Sequence, residues 1–374
     1  MKVALVIEGL GSGGAERVAC TLGELLFARG FDVTLLTIDA ETGKFYTPPA
    51  SCELYDLGLK KIEMSLSKRI IGYHFIRLKK LKEALLKINP NLIIPFGTKL
   101  NGLVLLALGE KSRDIPVIIT ERGDPKNGRI EWTYKLLRKI TYPKASTMVC
   151  LTRYAADFWS KSVPSLPTYV VPNPVSFVIQ EDTGEISKGN GKNIILSVGR
   201  LARQKNYPLL LKAFSLIAAE YPDWDLIVYG EGKKREELIR LSKRLGISER
   251  VFFPGVTKNI AEAYKRADIY VQSSLYEGFC NTLVEAMGFG LPVIATDWNG
   301  VEDIILDGKN GLVVPFDVKK LAEAISTLIS NEELRQNLGK EAKKIKHKFS
   351  LEKFGEKWYR LIQDVLKQKK LTNE

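Results

Sequence analysis

Glu277 and Glu285 stand with seven residues between them in the stretch Glu277-Gly278-Phe279-Cys280-Asn281-Thr282-Leu283-Val284-Glu285. Glu277 falls on the loop after an apolar run, Ile269–Gln272. A helix is expected to begin at Asn281 or Thr282, with Glu285 about one turn inside it. The unpaired N–H groups and positive dipole end of a helix start suit a phosphate. Glu285 is then placed to accept hydrogen bonds from a ribose diol, and Glu277 to lie on the sugar side of the phosphate. Acidic residues near a helix start also occur simply because they favour the dipole. Gly278 and the apolar helix behind it make that plainer explanation less attractive.

Two further motifs point to an anion. Ser197-Val198-Gly199-Arg200-Leu201 ends a buried strand and is followed by Lys205-Asn206. In open α/β sheets ligands bind at the carboxyl ends of strands. Arg200 as a planar fork and Lys205 as a point charge suit a diphosphate there; a solvated basic loop is the competing explanation. Gly9-Leu10-Gly11-Ser12-Gly13-Gly14 follows the first strand and opens a helix. Gly13 and Gly14 let backbone N–H groups approach an anion, or they make only a tight turn. The spacing is not that of a nicotinamide site. Asp223-Trp224-Asp225 matches a divalent-metal DxD pattern but falls between a helix and a strand start, at the end of the sheet away from the anion motifs. It reads as a turn.

Taken together, Gly11–Gly14, Ser197–Arg200, Lys205 and the Glu-x7-Glu spacing resemble the family-4 glycosyltransferases of the GT-B fold, over nearly the whole chain. Ser12-Gly13-Gly14-Ala15-Glu16-Arg17 and Thr120-Glu121-Arg122-Gly123-Asp124-Pro125 further resemble bacterial enzymes that build capsule, exopolysaccharide and lipid-linked oligosaccharides. The resemblance implies a retaining enzyme that moves a hexose or N-acetylhexosamine from a nucleotide sugar, UDP-sugar by family habit, to a growing lipid-linked glycan. No metal or other cofactor is implied. It gives Glu285 the ribose hydroxyls, Glu277 the transferred sugar, and Arg200 and Lys205 the donor diphosphate. The Gly278–Thr282 backbone, with Phe279 and Asn281, would contact sugar and phosphate. Gly230 would lie against the nucleotide and Val256 near its base. Many family members carry a histidine in the N-terminal domain near the reacting sugar. This chain has Glu121-Arg122-Gly123-Asp124 at the matching place, so Glu121, Arg122 or Asp124 is the candidate substitute, or these residues merely cap a strand end.

These residues need strand ends to hold them. Short β-rich runs at Val3–Ile7, Val33–Ile38, Leu92–Phe96, Val117–Thr120, Thr147–Leu151 and Tyr169–Val171 alternate with helical patterns. The same alternation resumes with Ile194–Val198, Asp225–Tyr229, Val251–Phe253, Ile269–Gln272 and Pro292–Ala295. Several lack a period of two, as expected of strands buried on both faces of a parallel sheet. The fold class is α/β: two doubly wound Rossmann-like domains with a cleft between them and a C-terminal helix returning to the first. The expected boundaries are 1–175 for an acceptor-binding domain, 176–192 for a linker, 193–348 for a nucleotide-sugar-binding domain and 349–374 for the helix.

Bulk properties fit this organisation. At 374 residues the chain is long enough for two domains. No run of about 18 apolar residues exists, and the N-terminal apolar stretch is too short for a signal peptide. A cytoplasmic protein, peripheral on the inner face of the membrane, is expected. Cys20, Cys52, Cys150 and Cys280 show no CxxC pairing, and His74 and His347 lie far apart, so free thiols and no metal centre are expected. The formal net charge of +13 is concentrated: residues 60–87 hold nine Lys/Arg against Glu63 and Glu83. Leu66, Ile70, Phe75, Leu78, Leu81 and Leu85 run through the same stretch. A basic amphipathic helix of that kind suits an anionic membrane surface, or it is an ordinary domain helix with a solvated face. No nucleic-acid-reading motif accompanies the charge. Two other functions remain open: a GT-B nucleotide-sugar epimerase, disfavoured by the shortage of histidine, and a non-catalytic partner subunit, disfavoured by the intact Arg200, Lys205, Glu277 and Glu285.

Overall fold

The computed structural model describes residues 1–11, 13–41, 44–59, 67–127, 131–175, 191–257 and 259–373. The chain forms two compact units. The first contains Met1–Pro174 with Glu352–Glu374, and the second contains Val175–Leu351. Nearly all of the expected linker lies outside the described residues.

In the first unit the elements run β1 (Lys2–Ile7), α1 (Gly14–Phe27), β2 (Asp32–Thr37), β3 (Glu53–Asp56), α2 (Ser67–Ile88), β4 (Leu92–Pro95), α3 (Thr98–Leu108), β5 (Ile118–Glu121), α4 (Trp132–Thr141), β6 (Thr147–Cys150), α5 (Arg153–Ser162) and β7 (Thr168–Val170). The strands pair in parallel as β3-β2-β1-β4 and as β5-β6-β7. Parallel bridges Ile93↔Val117 and Phe96↔Thr120 join β4 to β5. The order 3-2-1-4-5 about β1 is that of the doubly wound dinucleotide-type fold. Both faces of this sheet are covered, which is why its strands read as continuous apolar runs. In β1, Ala4 and Val6 join a core with Leu81, Leu85 and Val104. Val3, Leu5 and Ile7 join another with Val18, Leu22, Phe354, Trp358 and Ile362.

Those last three residues belong to the final helix, α13 (Leu351–Asn373), so the chain's end does return to the first unit. Trp358 is fully buried there, and Tyr359 packs edge-on to Phe31.

The second unit runs β8 (Asn193–Val198), α6 (Tyr207–Ile217), β9 (Trp224–Tyr229), α7 (Arg235–Arg244), β10 (Val251–Gly255), α8 (Ile260–Arg266), β11 (Ile269–Gln272), α9 (Asn281–Gly288), β12 (Val293–Thr296), β13 (Leu312–Val314), α10 (Val318–Ser330), α11 (Glu332–Lys343) and α12 (Ile345–Lys348). Its parallel sheet has the order β10-β9-β8-β11-β12-β13. Successive strands move outward from β8 to β10, then return to the other side of β8 with β11. The crevice between the carboxyl ends of β8 and β11 is therefore the topological switch point, where such sheets hold ligands.

β3 and β13 were not expected. Each is a short strand at a sheet edge, and Glu53–Asp56 lacks the apolar run that marks a central strand. The basic amphipathic stretch, readable from sequence as one or two helices over Ser65–Ile88, is a single helix from Ser67 to Ile88, with residues 60–66 outside the described set.

Candidate active site

The carboxyl ends of four neighbouring strands of the second unit, β10, β9, β8 and β11, build the site. After β8 the chain passes Gly199 and Arg200, makes one 3-10 turn at Arg203–Lys205, and enters α6 through Asn206, which has a left-handed φ of 48°. After β11 it passes Ser273–Cys280 and enters α9 at Asn281. The two loops are tied together, because Leu275 N–H donates to the Gln204 carbonyl (2.8 Å) and Ser273 Oγ to the Lys205 carbonyl (2.9 Å).

That pairing sets Lys205 Nζ against Glu277 Oε1 at 2.6 Å, with both side chains largely buried. Ser274 Oγ donates to the same oxygen (2.6 Å), and Gln204 Nε2 donates to Oε2 (3.0 Å). Three donors of this kind fix the carboxylate's orientation. Burial works to lower the Lys205 pKa, but the Glu277 charge more than offsets it and holds the ammonium above the ordinary lysine range. Lys205 thus remains a cation at any working pH.

A chain of hydrogen bonds connects Glu277 to the start of α9. Gln272 Nε2 donates to Ser274 Oγ (2.6 Å), and Tyr270 Oη lies 2.7 Å from Gln272 Oε1 and 2.9 Å from Thr282 Oγ1. Glu285, one turn into α9, is buried and accepts from Tyr264 Oη at 3.0 Å. Burial, then the Glu285 charge, hold the Tyr264 phenol well above its usual range, so it stays a donor. Tyr264 is itself stacked on Phe289. Phe279 and Cys280 are buried beneath the loop, and Gly278 and Asn281 are half-buried on it. Burial pushes the Cys280 thiol up to about 11, with Lys205 opposing, which leaves it neutral and poorly nucleophilic.

The neighbouring strand ends form a shelf with little side chain on it. Gly199 N–H donates to the Tyr229 carbonyl (2.9 Å), and Gly230 N–H to the Gly255 carbonyl (2.7 Å). Gly199, Gly230 and Gly255 thereby stand at the ends of β8, β9 and β10. A Cβ on Gly230 would overlap the Gly199 carbonyl oxygen. Arg200 is exposed beside this shelf and makes no side-chain bond among the described residues. Val256 is exposed just beyond β10.

Among the residues expected to work together, Gly199, Arg200, Lys205, Gly230, Glu277–Thr282 and Glu285 surround this crevice, with Val256 at its far strand end. Gly13, Gly14 and Glu121 stand in the first unit. Gly13 caps α1 without a side-chain bond. Glu121 is buried at the end of β5, where Arg138 Nη2 (3.2 Å), Thr98 Oγ1 (2.9 Å) and the Tyr142 hydroxyl all engage its carboxylate. Its oxygens therefore serve the interior of that unit. Arg122 donates to Asn173 Oδ1 (2.6 Å), and Asp124 Oδ1 accepts the backbone N–H groups of Lys126 and Asn127.

Asp223-Trp224-Asp225 lies at the amino end of β9, away from the crevice, and Asp225 pairs with Arg250 at 2.7 Å. Among the described residues no three His, Cys, Asp or Glu side chains are grouped to hold a metal ion. Gln204, Ser274, Gln272 and Tyr264 were not singled out from sequence. Gln272 alone carried a signal, a polar residue ending an otherwise apolar buried strand.

Comparison with known proteins agrees with this geometry. The profile described as "Glycosyltransferase Family 4" matches residues 12–177, and "Glycosyl transferases group 1" matches residues 178–345. The chain belongs to the family-4 glycosyltransferases. Its fold is GT-B. The amylovoran biosynthesis glycosyltransferase AmsD of Erwinia amylovora is 28% identical, over 91% of this chain and 93% of its own length. A Campylobacter jejuni enzyme is 27% identical over 98% of this chain and 99% of its own; its name is GalNAc-alpha-(1->4)-GalNAc-alpha-(1->3)-diNAcBac-PP-undecaprenol alpha-1,4-N-acetyl-D-galactosaminyltransferase. Anabaena HepE, solved in complex with UDP-glucose, superposes with a TM-score of 0.79 at 18% identity, over 97% of this glycosyltransferase and all of that chain.

Proposed function

We propose that this glycosyltransferase is a retaining enzyme that moves a hexose or N-acetylhexosamine from a UDP-sugar to a glycan carried on a lipid diphosphate, in bacterial surface-polysaccharide synthesis. The observation that carries the reading is the Lys205–Glu277 contact at the switch point, with Glu285 one turn into the adjoining helix. A diphosphate at that crevice meets the Lys205 ammonium, the exposed Arg200 guanidinium and the N-terminus of α9. These neutralise the charge that grows on the leaving UDP. Glu285 receives the ribose hydroxyls. Glu277, fixed by Lys205, Ser274 and Gln204, stands on the sugar side and orients its hydroxyls. Transfer on one face of the sugar, with the leaving phosphate accepting the acceptor's proton, retains configuration. Arg200, Lys205 and the helix end meet the donor's charge in place of a metal.

The names of AmsD and the Campylobacter enzyme support the polysaccharide and lipid-diphosphate acceptor, and the UDP-glucose complex of HepE supports the nucleotide. The expected basic surface at 60–87 is only part of the story. Residues 60–66 lie outside the described set, and in α2 Leu81, Ala84, Leu85 and Ile88 turn into the core while Arg77 pairs with Glu8. The C-terminal half of the α2 stripe is therefore used internally, whereas Phe75, Ile76 and Leu86 stay exposed. Lys79, Lys80, Lys82 and Lys87 remain outward to meet anionic headgroups, and an inner-face cytoplasmic location follows from a nucleotide-sugar donor.

The test is UDP release against a panel of UDP-sugars with a lipid-diphosphate glycan, and the anomeric configuration of the product by NMR. Acceptor-dependent UDP release that persists in EDTA is expected. Complete loss in EDTA removes the metal-free mechanism, and an inverted product removes the retaining one. Free epimerised donor without acceptor would move the assignment to an epimerase.

A further inference from the structure

The turn between β8 and α6 has two sides. Gln204 and Lys205 reach Glu277. Their chain neighbours Arg203 and Asn206 instead line a pocket of about 160 Å³, whose apolar walls include Ala202, Tyr207, Leu238 and Leu275. Tyr207 and Leu238 are buried, and the Tyr207 hydroxyl donates to the Gly199 carbonyl (3.1 Å), so Tyr207 presents its ring to this space. An apolar cavity of about 150 Å³ takes a benzene-sized group. The volume here therefore fits one six-membered ring or one short branched chain.

The charges at the mouth choose the other end of the occupant. Lys234 is paired with Glu237, whereas the exposed Arg203 guanidinium makes no hydrogen bond or ion pair among the described residues. The lining thus carries one positive charge without a counter-charge. The Asn206 side chain, half-buried beside it, caps no backbone group of α6. A carboxylate or phosphate on the occupant meets Arg203 as a planar fork. A side chain of a partner protein is a poorer fit. Lys233, Glu236 and Glu237 are exposed around the mouth, and no large exposed apolar side chain stands on the loops that form it, whereas anchors at protein interfaces sit inside a wider contact patch.

What the pocket touches gives it a use. Lys205 N–H donates to the Ala202 carbonyl (3.1 Å), Asn206 N–H to the Arg203 carbonyl (3.2 Å) and Leu275 N–H to the Gln204 carbonyl (2.8 Å). Ala202, Asn206 and Leu275 are thus walls of the pocket and struts of the turn that carries Lys205. An occupant adds packing contacts to those walls and resists movement of the turn. We propose that the pocket binds a small organic anion, one ring or branched chain ending in a carboxylate or phosphate, and that the bound anion strengthens donor binding through the Arg203–Lys205 turn. The coupling rests on the proposed role of Lys205 at the donor diphosphate; the binding does not. By linkage, the donor strengthens binding of the anion by the same factor.

The experiment uses the full chain, with benzoate and phenyl phosphate as probes and benzyl alcohol as the neutral control. Probe binding is read by saturation-transfer NMR, and UDP affinity by calorimetry with and without saturating benzoate. Benzoate is expected to bind with a Kd on the order of 1 mM, as suits so small a ligand, and benzyl alcohol about threefold more weakly. R203Q is expected to remove that difference. A202F puts a ring into the pocket from its wall, and E237W closes it from the exposed rim. Both are expected to abolish probe binding while UDP still raises the melting temperature. E237W also frees Lys234, which alone would favour an anion, so a loss there reports the blocked space. Saturating benzoate is expected to lower the UDP Kd of the wild type about fivefold and to leave that of A202F unchanged. A wild type that binds neither anion overturns the proposal, as does probe binding that survives both blocking variants. So does displacement of benzoate by UDP, which would put the probe in the donor crevice, or a UDP Kd that ignores benzoate. A wild type that fails to bind UDP sinks the donor reading and the coupling with it, while probe binding that A202F blocks keeps the site.

Discussion

Lys205 and Glu277 hold each other 2.6 Å apart with little water near either, and that contact decides what a substitution at one of them does. Removing one partner of a buried pair leaves an uncompensated charge and costs about 3–5 kcal/mol. Glu277→Ala is therefore expected to lower both turnover and melting temperature. K205M/E277Q is expected to recover much of the stability while remaining inactive. Glu285→Ala should raise the donor KM and spare kcat, because Glu285 is read as a ribose ligand. Wild-type-like kinetics in both alanine variants would refute the division of labour. The same contact sets a pH response. The folded pKa of Lys205 is raised, so the ion pair's stabilisation is complete below the unfolded value of 10.5 and fades only as pH climbs through the higher folded value. Donor affinity, measured by calorimetry, is expected to be flat on the alkaline side from neutrality to about pH 10. A loss of affinity near pH 8 would place the titrating cation elsewhere.

Strand ends, not helix faces, do most of the positioning, and glycine is what lets them approach. Gly230 has φ of 141° and no room for a Cβ beneath the Gly199 carbonyl, whereas Gly246 has φ of 70° with open space around it. Gly246→Ala is expected to cost about 1–2 kcal/mol of left-handed strain and leave donor binding unchanged. Gly230→Ala must in addition push the β8 loop, so it is expected to lower stability further and weaken nucleotide binding. Thermal melts with and without UDP separate the two effects. Central strands were legible in sequence because burial on both faces leaves a continuous apolar run. The edges β3 and β13 were not, because a short edge strand has little to bury. Glu277, Glu285, Arg200 and Lys205 were legible because each sits at a fixed offset from a strand or helix start. Gln204 and Ser274 were not. Their partnership depends on β8 and β11 becoming neighbours, a pairing between segments some 70 residues apart that no local pattern encodes. Tyr264 reaches Glu285 from α8 for the same reason.

Each unit closes its own core, yet the chain passes between them twice, leaving the first after Pro174 and rejoining it at Glu352. The return is energetic as well as topological. Trp358 and Ile362 are fully buried and Phe354 nearly so, against the same side chains that cover β1, among them Leu5, Leu22 and Val18. Without α13 that face of the sheet would be open to water, so the last 23 residues are part of the first unit's fold and not an appendage. The apolar stripe Phe354, Trp358, Leu361, Ile362, Val365 marks a docked helix in sequence, and its return to the first unit is as expected; which side chains it meets there was set by three-dimensional packing alone. Removing a buried tryptophan side chain costs about 3–5 kcal/mol through lost transfer energy and the cavity left behind. Trp358→Ala is therefore expected to destabilise the first unit selectively. Hydrogen exchange should rise in peptides from β1, α1 and α13 while the β8–β11 sheet keeps its protection, and UDP should still stabilise the second unit. Uniform loss of protection across both sheets would mean that the two cores do not melt as separate units and that α13 supports more than the face it covers.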